Sequence, residues 1–119
     1  MALGPAEIVD RWIKAFNAGD ADAMVALYAD NAVHTTPKLR AADPATDGRL
    51  AGKPALTDWW RATFDRSPDL RYQVVTTVSN ERVAVIEYLR IKPGEATMRV
   101  AELFEVEAGK IIRSHVFHG

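Results

Sequence analysis

Apolar positions recur at helical spacing in the first part of the chain. Ile8, Trp12 and Phe16 stand at i, i+4 and i+8, and Val9 and Ile13 widen the stripe into one face of an amphipathic helix. Pro5 suits the first turn of that helix. In "NAGD", Gly19 can take the left-handed conformation that ends a helix, and Asp20 can cap a second, short one carrying Met24, Leu27 and Tyr28. "ADNAVHTTP" reads as a short strand ending before Pro37, and residues 38 to 53, rich in Ala, Asp, Pro and Gly, as a long loop. Pro54 opens a third helix with Leu56, Trp59, Trp60, Thr63 and Phe64 on a broad apolar face. From Leu70 the period falls to two. Turn signals at Asn80-Glu81, Pro93-Gly94 and Glu107-Ala108-Gly109 divide the rest into four strands of a meander. The pattern predicts an α+β fold, three helices packed on one face of a curved, mainly antiparallel sheet.

Alternation along "MRVAELFEV" puts Met98, Val100, Glu102, Phe104 and Val106 on one face, so that one glutamate stands among apolar residues. A type I turn with a glycine bulge at Gly109 predicts Phe104 opposite Ile112, Glu102 opposite Ser114, Val100 opposite Val116 and Met98 opposite His118. Treating Pro93-Gly94 and Asn80-Glu81 as two-residue connections adds Val83, Val85, Glu87, Leu89 and Ile91, then Tyr72, Val74, Thr76 and Val78, to the same face. Glu87 and Glu102 become diagonal neighbours, roughly 7 Å apart. The other face then carries Ala84, Ile86, Tyr88, Ala101, Leu103, Ile111 and Phe117, too apolar for open solvent, and predicts a homodimer through the outer sheet face.

Two carboxyls in an apolar half-shell cannot both ionise cheaply, so one is expected to hold its proton near neutrality. That state can donate a hydrogen bond to a developing oxyanion or shuttle a proton beside a carbonyl. The plainer alternative is a glutamate that reaches the sheet rim or pairs with an arginine. His34, on the same side of the first strand as Thr36, reads either as a buried, hydrogen-bonded histidine or as a partner in proton transfer. Trp12, Trp60, Tyr72 and Phe104 are aromatic candidates for core or for the wall of a small-ligand pocket. Trp59 and Trp60 cannot both face inward on one helix, which leaves one of them for a partner.

At 119 residues the chain fits one domain, residues 1 to 119, with no internal repeat. Fifteen Lys and Arg balance sixteen Asp and Glu without a basic run, so neither nucleic acid nor an anionic membrane is an expected partner. Cysteine is absent, which removes disulfides, thiolate metal sites and a thiol nucleophile together. His115 and His118 are three apart on a strand and face opposite ways, so no metal-ligand cluster is expected. Phosphate-loop, dinucleotide and nucleophilic-serine motifs are missing. The expectation is cofactor-free operation on an apolar small molecule. Lacking a signal-like or membrane-spanning apolar run, the chain takes the cytoplasm as its default compartment.

"IVDRWIKAFNAGDADAMVALYADNAV", "GKPALTDWW", "PDLRYQVV" and "LFEVEAGKIIRSHVF" together resemble the nuclear transport factor 2-like superfamily, especially its SnoaL-like and ketosteroid-isomerase-like branches. The resemblance covers nearly the whole chain. It implies a cone-shaped α+β barrel, usually dimeric, with a pocket between helices and concave sheet. In ketosteroid isomerases a tyrosine stands at the place of Trp12 and a catalytic aspartate at that of Thr36, while their protonated aspartate corresponds to Glu102. Limonene epoxide hydrolases need an Asp-Arg-Asp set with no match in the later strands here. SnoaL-like polyketide cyclases use an acidic base in an apolar cavity, which Glu102 with His34 can imitate. The resemblance thus implies proton transfer, isomerisation or cyclisation on a carbonyl-containing ligand, with Glu102, His34 and Glu87 as catalytic candidates. Trp12, Thr36, Trp60, Tyr72, Val100, Phe104, Ser114, Val116 and His118 are the ligand-binding candidates. The alternative is a non-catalytic ligand-binding or dimerisation module of the same fold.

Overall fold

The stripe on the first helix is what the fold is built around. In the computed structural model, which describes residues 2–118 with His118 by its backbone alone, helix α1 spans Pro5–Asn17. It buries Ile8, Val9, Trp12, Ala15 and Phe16. Gly19, at φ 66°, ends the turn after it, and the Asp20 carboxylate accepts from Ala23 N–H to cap α2, Ala21–Val25. Asn17 fastens the end of α1 to the sheet by donating to Tyr72 C=O and accepting from Tyr72 N–H, both at 2.9 Å.

Strand β1 is Tyr28–Thr35, and the stretch expected to be a loop carries structure of its own. Helix α3, Pro37–Ala42, is followed by a 3-10 turn at Pro44–Thr46 and by strand β2, Arg49–Ala51, antiparallel to β1. Thr36 caps α3 with its side-chain oxygen, and Thr36 N–H donates to Gly48 C=O at 2.8 Å. At Gly48, whose φ is positive, a side chain would sit 2.8 Å from the Thr36 carbonyl oxygen, so only glycine lets β2 close on β1. Such short elements have no periodicity to read, being held by caps and long-range pairing.

Helix α4, Lys53–Arg66, buries Leu56 and Trp60. Strands β3 (Arg71–Ser79), β4 (Val83–Ile91), β5 (Met98–Glu107) and β6 (Lys110–His118) form the expected meander. Strand β1 joins β6 in parallel, giving the order β2-β1-β6-β5-β4-β3 among the described residues. The helices cover the concave side of this sheet, the α+β cone-shaped barrel. Its core is aromatic: Phe16 stacks on Tyr72 at 3.7 Å between centroids, and Trp12 meets Phe104 edge-on at 5.0 Å. None of the described helices is long and apolar enough to cross a membrane.

Register departs from expectation at all three turns. At the first, the two turn residues are Glu81 and Arg82 rather than Asn80 and Glu81, and Ser79 pairs with Ala84, a shift of two. The β4–β5 connection runs over residues 92–97 rather than two residues, and Arg90 pairs with Met98. That one-residue slip places Ala84, Ile86, Tyr88 and Arg90 on the face of Glu102, and turns Glu87 to the opposite face. There Glu87 accepts from Arg99 at 2.6 Å and from Thr76. A bulge between Val74 and Thr76 compensates for Tyr72, which reaches the inner face beside Arg90, while Thr76 and Val78 pair with Glu87 and Val85 outside.

At the last turn Ala108 and Gly109 both take positive φ, 51° and 75°, a two-residue turn closed by Glu107 and Lys110. A bulge after Glu105 then shifts the ladder, so Glu102 faces Val116 and Phe104 faces Ser114. Of the seven residues expected outside, Ala84, Ile86, Tyr88 and Ile111 are buried inside. Ala101, Leu103 and Phe117 stay on the outer face, in register with Glu87, Val85 and the other outward positions.

Candidate active site

Between α3, α4 and the concave sheet lies a cavity of about 220 Å³. Glu102 and His34 both line it, with Thr36, Trp60, Tyr72, Val100 and Val116 from the sequence-predicted set. Glu87 is on the far side of the sheet. Trp12 and Phe104 are fully buried in the aromatic core and do not reach the cavity. Ser114 is buried behind the wall, where it touches His34 rather than Glu102. The side chain of His118 falls outside the described residues. Trp59 lines the cavity as well as Trp60, so both tryptophans of α4 reach it although they were expected not to share the inner side.

The wall is more polar than expected. Tyr88, Arg90, Lys92, Glu95, Lys38 and Arg66 all contribute, the first four because the 92–97 connection reverses β4 relative to the two-residue turn. Lys38 comes from the helix hidden in the supposed loop. What brings Tyr88 and Arg90 to this face is an odd rather than an even number of residues between the closing pair, Arg90 and Met98, and nothing in "KPGEAT" marks that parity.

Glu102 is 1% exposed, and its carboxyl sits among Ile86, Val116 and Tyr88. Tyr88 O–H donates to Oε1 at 2.9 Å, while Oε2 has no partner among the described residues. Burial pushes the carboxyl up to about 8, only partly opposed by the Tyr88 hydrogen bond, so Glu102 is largely protonated at neutrality. The tyrosines around it, Tyr72 and Tyr88, are pushed well up by burial and then by the Glu102 charge, and stay neutral. Tyr88→Phe removes the opposing hydrogen bond, so the Glu102 titration is expected to move above that of the wild type. Carboxyl-carbon NMR across pH 6 to 10 reads this directly, and a downward shift would contradict the assignment.

Behind the wall runs a chain of hydrogen bonds whose direction can be worked out. Trp12 Nε1, which can only donate, gives its proton to Tyr28 Oη at 3.0 Å. Tyr28 Oη lies 3.4 Å from Ser114 Oγ, and Ser114 Oγ 2.6 Å from His34 Nδ1. If Ser114 donated to Tyr28, the Tyr28 proton would be buried without an acceptor. Every proton is placed when Tyr28 donates to Ser114 and Ser114 donates to His34 Nδ1, which leaves the hydrogen of the ring on Nε2. Burial, and next the His115 charge, lowers His34 to about 3, so the ring is neutral throughout the working range. His34 therefore offers the cavity an N–H donor, and Glu102 offers a proton that can come and go. Among the described residues no group of three or more ligating side chains is placed to hold a metal.

No curated protein matches the sequence. Among solved structures, a SnoaL-like protein of unknown function from Burkholderia thailandensis is 26% identical over 96% of this chain and 92% of its own, with a TM-score of 0.83. A proposed polyketide cyclase from Sinorhizobium meliloti shares the fold at 19% identity, 93% and 94% coverage and a TM-score of 0.77. An NTF2-like protein of unknown function from Cytophaga hutchinsonii does so at 17% identity, 100% and 95% coverage and a TM-score of 0.76. The sequence model of the SnoaL-like domain matches residues 9–114, and the chain belongs to that family.

Proposed function

We propose that this protein is a cofactor-independent enzyme that moves a proton on a small carbonyl-containing ligand, an isomerisation or cyclisation, with Glu102 as the shuttling group. The observation that carries the reading is the buried Glu102 carboxyl on the cavity wall, with one oxygen held by Tyr88 and the other without a protein partner. Ionised Glu102 takes the proton from the carbon next to the carbonyl and becomes the neutral acid that its surroundings favour. As charge builds on the carbonyl oxygen, His34 Nε2–H donates to it, a neutral donor that is never itself lost to titration. Glu102 then returns the proton to a different carbon, or to the oxygen after ring closure. The naming of a neighbour as a proposed polyketide cyclase is in keeping with this chemistry.

The test is turnover of a β,γ-unsaturated ketone or a polyketide-like chain, followed by absorbance of the conjugated product. Because only ionised Glu102 can act as the base, kcat/KM is expected to rise with pH and level off above about 8. A rate that falls through the same range would exclude the base role and leave the protonated acid as a hydrogen-bond donor. Binding without turnover of any such ligand would make the cavity a ligand-holding module.

Association of two copies through the outer sheet face belongs to the same reading. Val78, Val85 and Leu103 form one cross-strand row, and Phe117 stands beside it, 49% exposed. The row is flanked by the Glu87–Arg99 and Glu105–Arg113 ion pairs. Phe117→Arg is expected to convert a dimer to a monomer in sedimentation equilibrium with an unchanged circular dichroism spectrum. A variant that sediments like the wild type would place any dimer contact elsewhere.

A further inference from the structure

The chain as a whole carries a net charge of -1, yet the outer part of the cavity gathers four cations from three separate segments. Lys38 stands in the first turn of α3, Arg66 at the end of α4, Arg90 near the end of β4 and Lys92 just after it. A single carboxylate, Glu95 in the 92–97 connection, lies among them, bridging Arg90 at 2.9 Å and Lys92 at 3.3 Å. Glu102, deeper in, is mostly neutral at pH 7. Positive charge is therefore left over. Its effect shows on Lys38, lowered by burial and next by the charge of Arg90, opposed by Glu95, with Lys92 and Arg66 lowering it further.

Arg90 is the decisive group. Its side chain is 8% exposed, lines the cavity, and keeps a buried Nε–H with no partner among the described residues. A guanidinium with one edge bonded and another free is matched by a second carboxylate or a phosphate. Arg90 shares the cavity lining with Lys38, Arg66 and Lys92. Glu95, about half exposed, can yield its bond to a stronger competitor.

We infer that the ligand is an anion, a small carbonyl compound carrying a carboxylate whose charge is received by Arg90 and Lys38 at the outer end of the cavity while its carbonyl lies against Glu102 and His34. This rests on the proton-transfer reading for the inner end only; the outer end stands on its own groups. It replaces the wholly apolar ligand that the strand pattern predicts, and it assigns the binding orientation: charged end out, reacting carbon in.

The probe is levulinate, a stable keto acid, against its methyl ester, titrated by NMR into the wild type and three variants. Levulinate is expected to bind at least tenfold more tightly than the ester, with affinity falling as salt rises. Lys38→Ala, an exposed position, is expected to weaken levulinate about threefold, and Arg90→Gln about tenfold, with the ester unaffected by either. Glu95→Gln is expected to tighten levulinate, because it frees Arg90 and Lys92 from their internal carboxylate; a merely structural role for Glu95 predicts no gain. Equal affinity for acid and ester, no binding of either, or loss instead of gain in Glu95→Gln would each overturn the inference. Tight binding of the acid without any proton exchange at its carbons would sink the catalytic reading and leave the anion site standing. Exchange on acid and ester alike would do the reverse.

Discussion

Glu102→Gln is expected to abolish turnover and at the same time to stabilise the fold above pH 8. The two effects have one cause. In the wild type the folded state holds the Glu102 proton up to about 8, whereas the unfolded chain releases it near the ordinary glutamate value of 4.5. The folded pKa is the raised one, so the contribution is fully present below about 4.5 and is lost as pH rises through 8. Linkage over that interval amounts to about 2 kcal/mol by pH 6 and roughly 4 to 5 kcal/mol by pH 8.5, as upper figures. Glutamine has the same shape, accepts the Tyr88 hydrogen bond through its carbonyl, and does not titrate. Urea unfolding at pH 5.5, 7 and 8.5 should therefore show a wild-type stability that falls with pH and a variant whose curve is flatter by about one proton. A variant with the same slope as the wild type would mean that Glu102 is ionised in the folded state. Residual turnover within a few-fold of wild type would remove it from the chemistry.

A combination of gained stability and lost activity is the signature of a group kept in the core for its reactivity. An apolar cavity wall would be cheaper to fold. What the Glu102 position offers instead is a proton affinity matched to neutral pH, set by burial against Ile86 and Val116 and tempered by one tyrosine. His34 is the complement: burial drives it in the opposite direction, so one partner titrates in the working range and the other does not.

The alternation along β5 was enough to single out Glu102, because a strand with one buried face shows any polar intruder at once. The helical stripe of α1 and the meander from Leu70 were readable for the same reason: each is long enough for its period to repeat. Glu87 and Tyr88 were exchanged because period alone does not carry register, which was decided by the six residues from Lys92 to Thr97 that have no period. Tyr72 came out on the correct face through the bulge at Val75, a feature with no glycine to mark it. The cations of the outer cavity were illegible for a different reason. Lys38, Arg66 and Lys92 look like ordinary surface charges, and only the capping of α3 by Thr36 and the fold of the 92–97 connection bring them to one opening.

Trp12→Ala is expected to be the most destabilising single change in the chain. The ring is fully buried, stacks on Phe16 at 5.7 Å and Tyr72 at 6.0 Å, and meets Trp60 and Phe104 edge-on. Truncating a buried Trp costs about 3 to 5 kcal/mol, and the Tyr28 hydroxyl loses its donor for about 1 kcal/mol more. Against a total stability of roughly 5 to 15 kcal/mol, the urea midpoint should drop by about 2 M or more, or the native baseline should vanish. Trp12→Phe separates the packing role from the hydrogen bond. It keeps most of the ring volume but removes the donor to Tyr28 Oη, while the Tyr28 proton keeps Ser114 as its acceptor. The expected result is a modest loss of stability with the nitrogen-15 shifts of His34 still those of a single Nε2–H tautomer, whereas Tyr28→Phe, which takes away the proton given to Ser114, is expected to move them toward a mixture. An unchanged tautomer in Tyr28→Phe would mean that the hydrogen-bond direction through Tyr28 and Ser114 does not set the state of His34, and that the donor facing the cavity is fixed by something else.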